Sequence, residues 1–436
     1  VNFNGKKLSS LLQVDKVFLY FVFSTVIFQG ARFSSNIVAA KILSPQLFGV
    51  WNLLNMILIY GNLSNIGVLN GLGREFPFWE GKGDEEKKKR SEQVSFTLNV
   101  LGVSVFSVGA FLFFELASGW EKYREERNLL LFVLVFQQVN AYCLFRLRSG
   151  REFRLMGAMQ MVMGVIHLLA AVFGAYFFGL KGFILGQIPA PLFVSLYLLF
   201  YRKYFKGFSL ESETAKRLLR VGLPILAAGF VFSLLSTIDR WVILDALGET
   251  SLGYYSISIM AFSSLMLIPR IIADQIYPEM AYHFGKTNSR ASLHQLFLRQ
   301  TGLSVIALLP VIIPLYFFLP YLVNTFLPQY QQGISSAQYV LIGVLGIALA
   351  GGSGNFLNTV GLQNIYLLVQ TIVVCVISVV AYILVRMLGI EGVGIAVGIG
   401  FILYGLILFL LVYRMTSHKD NLPDGVISEK QTFITL

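Results

Sequence analysis

Of 436 residues, 56% are hydrophobic and only 13% are charged, against roughly 25% charged in an ordinary soluble domain, which excludes an aqueous fold. The formal charge of +11 would point to nucleic acid in a soluble protein; here the basic residues have first to be sorted by side of a membrane, and no nucleic-acid partner is expected. Cys143 and Cys375 lie 232 residues apart and His167, His283, His294 and His418 are scattered, so neither a disulfide framework nor a metal site is expected.

The basic N-terminal segment has no short apolar core followed by a small-residue cleavage site, so it does not read as a removable signal peptide. Apolar runs long enough to cross about 30 Å of hydrocarbon then follow. They lie near 17–40, 48–71, 93–117, 128–147, 155–178, 182–201, 221–246, 253–276, 293–319, 336–360, 363–386 and 393–413. In hydrocarbon every backbone polar group has to be satisfied internally, and the alternating pattern of barrel strands is absent. The runs predict an all-α integral membrane protein with about twelve spanning helices.

In the first span, Thr25, Gln29, Arg32 and Asn36 are spaced 4, 3 and 4, which places them in one polar stripe ending in a cation. Asn52, Asn55, Asn62 and Asn65 make the second span rich in amides, suited to sugar hydroxyls or to hydrogen bonds between helices. The connection 201–220 reads as a linker whose SLESETAKRLLR portion forms a separate amphipathic helix at the membrane surface. In the seventh span Ser233, Thr237 and Arg240 repeat the 4, 3 spacing, with Asp239 beside the arginine. Arg270 and Asp274 are placed to form an i, i+4 pair in the eighth span. GGSGN at 351–355, followed by Asn358, predicts a kink or an unwound stretch in the tenth.

Of the 34 basic residues, 25 fall in the N-terminal segment, the loops after even-numbered spans and the tail, and six in the opposite loops. Cytoplasmic loops retain Lys and Arg, so both termini are expected in the cytoplasm of a bacterial inner membrane. The remaining three, Arg32, Arg240 and Arg270, fall inside spans.

The chain also repeats itself. Phe48-Gly49 and Leu252-Gly253 stand 204 residues apart, Pro77 and Pro278 stand 201 apart, and GLKG (179–182) and GIEG (389–392) stand 210 apart. Six spans per half is an even number, so the halves enter the membrane in the same direction and face each other across a central cleft. The expected organisation is a six-helix lobe at 1–205, a linker helix at 206–220, a second lobe at 221–416 and a cytoplasmic tail at 417–436.

Charges deep in a span cost about 2.5 to 3.5 kcal/mol each on insertion scales and normally face a cavity. Both arginine-bearing seams are therefore expected to face the cleft. The candidate substrate-binding residues are Gln29, Arg32, Asn36, Asn55, Asn62, Arg240 and Asn358, while Asp239, Arg270 and Asp274 serve ion coupling or structural pairing. Guanidinium groups favour an anion, phosphate above all, because their donor fork matches phosphate oxygens. A cation-coupled multidrug antiporter would need a carboxylate in the first span, and a membrane-embedded polymerase or ligase would need a large catalytic outer loop. The sequence shows neither.

RFSSNIVAAKILSPQLFGVWNLLN (32–55) resembles the N-terminal signature of the polysaccharide-transporter family, the bacterial O-antigen and exopolysaccharide flippases. IDRWVILDALGETSLGYYSISIM (238–260) with IYPEM (276–280) resembles its second-lobe signature. The family lies within the multidrug, oligosaccharidyl-lipid and polysaccharide exporter superfamily. The resemblance implies two six-helix bundles, alternating access, and export of a polyprenyl-pyrophosphate-linked oligosaccharide to the periplasmic leaflet. It implies no cofactor, coupling to a proton or sodium gradient or to the membrane potential, and partners among membrane lipids and the polysaccharide polymerase and chain-length machinery.

Overall fold

A computed structural model describes residues 16–116, 120–287 and 289–417. The N-terminal segment before Lys16 and nearly all of the tail read above lie outside these residues. The described chain folds into thirteen helices. The first half holds α1 (Lys16–Ile42), α2 (Pro45–Gly61), α3 (Val68–Gly81), α4 (Glu85–Leu116), α5 (Arg124–Ser149), α6 (Phe153–Leu185) and α7 (Pro189–Leu196). The second holds α8 (Ser212–Leu235), α9 (Ile238–Leu265), α10 (Leu267–Thr287), α11 (His294–Phe326), α12 (Ile334–Thr359) and α13 (Gln363–Ser417). Eight helical stretches among the described residues are long and apolar enough to cross a membrane. Large apolar side chains such as Phe173, Phe177, Ile306 and Phe317 cover the outside of the bundle, where only lipid makes their exposure tolerable.

Three of the helices fold back on themselves, so eight is a lower bound on crossings. In α6 the reversal sits at Gly179 (φ 59°, ψ −138°) and in α13 at Gly389 (φ 61°, ψ −140°), a conformation that an L side chain strains to adopt. Three residues on, Gly182 packs against Gly174 and Gly392 against Leu384, so close that a Cβ would overlap backbone. GLKG and GIEG thus make the same hairpin 210 residues apart, the first glycine for the reversal and the last for the contact. The third reversal, at Gly248 in α9, brings Tyr255 Oη within 2.8 Å of Asp239 Oδ2.

The halves meet symmetrically. A Cβ on Gly49 of α2 would overlap the Glu249 carbonyl oxygen, and one on Gly253 of α9 would overlap that of Pro45. The two contacts are related by the same 204-residue offset, as are Asn52 and Ser256, whose side chains hydrogen-bond at 2.6 Å. A pseudo-two-fold axis therefore passes between α2 and α9, as expected for parallel repeats. Around it the end of the molecule remote from the basic loops is sealed: Tyr330 Oη and Gln329 Nε2 donate to the Ala40 carbonyl at 2.9 and 2.8 Å, and Lys122 and Tyr123 both bond Glu249.

At the basic end the halves pack closely on one side. There Gly67 of the turn before α3 packs on Gly222 of α8, Gly71 packs on Leu218, and Arg217 pairs with Glu75 at 3.4 Å. On the other side, no hydrogen bond or ion pair joins α1 to α10 among the described residues.

Two local expectations change. The segment 212–220 is not a separate surface helix: it is the first part of α8 and runs unbroken to Leu235. Its start is tied to the first half by Glu211, which bonds Arg90 and Thr214; Thr214 and Arg90 hold the Glu211 carboxyl below its ordinary range. GGSGN does not interrupt the tenth span either, because α12 is helical through Thr359. Its glycines let neighbours approach, Gly352 against Phe297 and Thr301 and Gly354 against Tyr366. The interruption lies instead in the second span, where α2 ends in a tight turn at Asn62–Asn65 and Ile66 and Gly67 adopt positive φ before α3 starts.

Candidate functional site

Between the halves lies a cavity of about 720 Å³, lined by α1, α2, α5, α6, the segment 187–191 and the span 259–267. From α1 it receives Gln29, Arg32 and Asn36, the stripe the spacing predicts. Thr25, the first member of that stripe, instead donates to Gln160 Oε1 at 2.8 Å and ties α1 to α6. Arg32 is exposed, lies over the Phe28 ring at 5.9 Å, and forms no ion pair among the described residues. Asn36 Nδ2 donates to the Arg32 carbonyl at 2.9 Å, one turn back, which leaves its amide oxygen toward other partners.

The broken second span supplies Asn52, Asn55 and Asn62. Ending α2 at Gly61 frees a backbone carbonyl at membrane depth, and Gln138 satisfies it: its Nε2 reaches the Gly61 oxygen at 3.2 Å and Asn62 Oδ1 at 3.0 Å. Asn99 Nδ2 in turn donates to the Gln138 carbonyl at 2.9 Å. A polar layer thus stands behind the cavity wall and fixes Asn62. The sequence carried a signal for this break, since Asn62, Ser64, Asn65 and Gly67 are four turn-forming residues within an apolar run.

The remaining polar lining was not anticipated. Gln137 and Asn140 come from α5, His167 from α6 and Gln187 from the turn before α7. His167 Nε2 lies 3.1 Å from Ser35 Oγ. Asn140 is buried, and its Nδ2 has no hydrogen-bond partner among the described residues. Among the described residues the lining holds eight Asn and Gln side chains, one arginine and no carboxylate.

The second seam does not reach this cavity. Ser233 bonds the Gly229 carbonyl and Thr237 Oγ1 meets Tyr60 Oη at 2.7 Å, across the contact between halves. Arg240 is buried and faces a separate space of about 10 Å³ with Asp239, Tyr255 and Ser258. That volume is about right for one water. Periodicity places these residues on one face of the helix, but the rotation of that face follows from packing against α2. Asn358 also lies away from the cavity, its carbonyl accepting from Gln363. Arg270 and Asp274 are exposed on α10 below the lining, and Asp274 Oδ1 approaches Arg148 Nη2 of α5 at 3.6 Å.

Known proteins match this arrangement. A family model described as polysaccharide biosynthesis protein matches residues 38–334, more than half of the chain. The chain belongs to this polysaccharide biosynthesis family. A candidate O-antigen transporter of Shigella flexneri is 23% identical over 404 residues, covering 88% of this chain and 93% of that protein. Among solved structures, an inward-facing MATE multidrug-resistance transporter of the MOP superfamily aligns with a TM-score of 0.76 at 17% identity, over 90% of this chain and 94% of that one. An outward-facing MATE transporter aligns at 0.72 and 17% identity, over 93% and 97%. A MOP-superfamily transporter from Pyrococcus furiosus, whose binding pocket is described as reversed in polarity, aligns at 0.69 and 16% identity, over 92% and 96%. This member of the polysaccharide biosynthesis family is therefore a multi-pass membrane protein with the fold seen in MOP-superfamily transporters.

Proposed function

We propose that the protein is a flippase for an anionic, lipid-linked oligosaccharide, an O-antigen or exopolysaccharide unit on a polyprenyl diphosphate, moved from the cytoplasmic to the periplasmic leaflet of the inner membrane. The observation that carries this reading is the lining, which among the described residues holds one arginine without an ion pair, eight amides and no carboxylate. A guanidinium without a resident counter-ion suits a diphosphate, and amides both donate to and accept from sugar hydroxyls. The basic loops support a cytoplasmic placement of the open end. The unbridged side between α1 and α10 offers the polyprenyl tail a path that keeps it in lipid while the head group occupies the cavity.

Transport then requires the sealed end to part and the basic end to close, with the halves rocking about their pseudo-two-fold contact. An inside-negative potential favours outward movement of an anion by about 2.3 kcal/mol per charge per 100 mV, so a diphosphate gains direction without a bound ion. Proton or sodium coupling through the buried Asp239 cluster is compatible with this scheme, and export partners such as a polymerase would act on the far side. A cation-coupled drug antiporter is the weaker reading because the lining has no acid to hold a cation.

The test is reconstitution into liposomes with lipid-linked oligosaccharides, scoring their appearance on the far leaflet. Arg32→Ala is expected to lower flipping at least about tenfold, the equivalent of one lost charge-assisted contact of about 1.4 kcal/mol. Wild-type flipping by that variant would remove the assignment.

A further inference from the structure

Two of the helices that line the cavity continue past it toward the basic end, and both stripes end in charge. On α5, Gln137, Asn140, Ala141 and Leu144 line the cavity, and the next position on that face is Arg148. On the opposing wall Met260 and Ser263 of α9 and Leu267 at the start of α10 line it, and along α10 the 3, 4 alternation leads from Leu267 to Arg270 and then Asp274. The nearby Arg146 is committed to structure: it pairs with Glu92 and Glu152 and lies over the Phe76 and Tyr204 rings. Arg148 is different. Its Nη2 meets Asp274 Oδ1 at 3.6 Å, with the two side chains 55% and 58% exposed, a single long contact between the halves. An exposed pair in this geometry holds weakly.

We propose that Arg148 and Arg270 form a second anion site at the cavity mouth, which receives the substrate's diphosphate before Arg32, with Asp274 as the resident counter-ion that the diphosphate displaces. This rests on the reading of the chain as a carrier of an anionic lipid-linked sugar. Two guanidinium groups against one carboxylate leave the mouth net positive. A diphosphate brings more charge and more acceptor oxygens than a carboxylate touching through one oxygen, and it engages Arg forks in pairs. Arg148 belongs to the first half and Arg270 to the second, so a bound diphosphate bridges the halves where Asp274 bridged them before.

The experiment measures binding of geranylgeranyl diphosphate to the purified full chain in lipid nanodiscs, with geranylgeraniol as the uncharged control. Asp274→Asn removes the competing carboxylate and is expected to tighten binding severalfold, whereas Arg148→Ala and Arg270→Ala each weaken it about tenfold. The gain from Asp274→Asn is expected to vanish in the Arg148→Ala background, and Arg148→Lys to recover part of the loss. If Asp274→Asn leaves binding unchanged or weaker, or the Arg148 and Arg270 variants bind like wild type while Arg32→Ala does not, the mouth site is wrong and the carrier reading stands. If the wild type itself prefers the alcohol or binds neither, both are wrong. All three positions are exposed, and an unchanged elution profile confirms that each variant is folded.

Discussion

Arg32 and Asn140 are two polar side chains of the cavity lining whose own substitutions separate a transport role from a structural one. Arg32 faces the cavity without a counter-ion among the described residues, and its fork geometry matters as much as its charge. Arg32→Lys, which keeps a point charge and loses the fork, is therefore expected to retain flipping well below wild type and well above Arg32→Ala in the liposome assay. Asn140 is buried beside the same space, and its Nδ2 has no protein hydrogen-bond partner among the described residues. Asn140→Leu is expected to leave the melting temperature unchanged or higher while transport falls; a fall in both would make the amide structural. The spacing of Gln29, Arg32 and Asn36 was readable in advance because one helix carries all three. Gln137, Asn140 and Gln187 were not, since Gln137 and Asn140 share a short polar cluster with Gln138, which turns away to Gly61 and Asn62, and Gln187 stands alone in its run, so only the fold shows which of them meet at the cavity.

At the scale of elements, the hairpins of α6 and α13 depend on a backbone conformation that only glycine adopts without strain. Gly179→Ala and Gly389→Ala are each expected to cost about 1 to 3 kcal/mol, read as lowered melting temperatures of similar size in detergent. Gly73→Ala, in the body of α3 with open space around the position, is the control and is expected to be neutral or stabilising. The broken second span teaches the converse. Its turn residues were counted as amides for sugar, when the same asparagines also unwind the helix: Asn65 Oδ1 accepts from the Gly67 N–H at 2.8 Å and caps the break. In α12 the glycines that resembled a break are contact surfaces, because a helix tolerates glycine wherever a neighbour needs the room.

For the whole molecule, the decisive asymmetry is between a far end sealed by Gly49, Gly253, Lys122–Glu249 and Tyr330, and a basic end packed closely on one side and bridged elsewhere by the long, exposed Arg148–Asp274 contact. If the seal is a gate, holding it shut arrests transport. With Cys143 and Cys375 replaced, Gln329→Cys and Ala40→Cys joined by a short bifunctional thiol reagent are expected to abolish flipping, with the unlinked double variant active. Undiminished flipping by the linked protein would show that this end does not open.

The sequence by itself determined the apolar surroundings, the helical class and the two-fold repeat, because each follows from composition or from periodicity and repetition along the chain. It also marked Arg32, because a charge placed within an apolar run long enough to span a membrane has an energetic cost visible without a fold. Only the tertiary structure decided which polar faces meet. Arg240 and Arg32 carry the same local spacing, yet one is turned toward Asp239 and Tyr255 within its own half and the other toward the shared cavity. Helical periodicity fixes which residues share a face, whereas the direction of that face is set by how neighbouring helices pack, through glycine contacts that lie 204 residues apart.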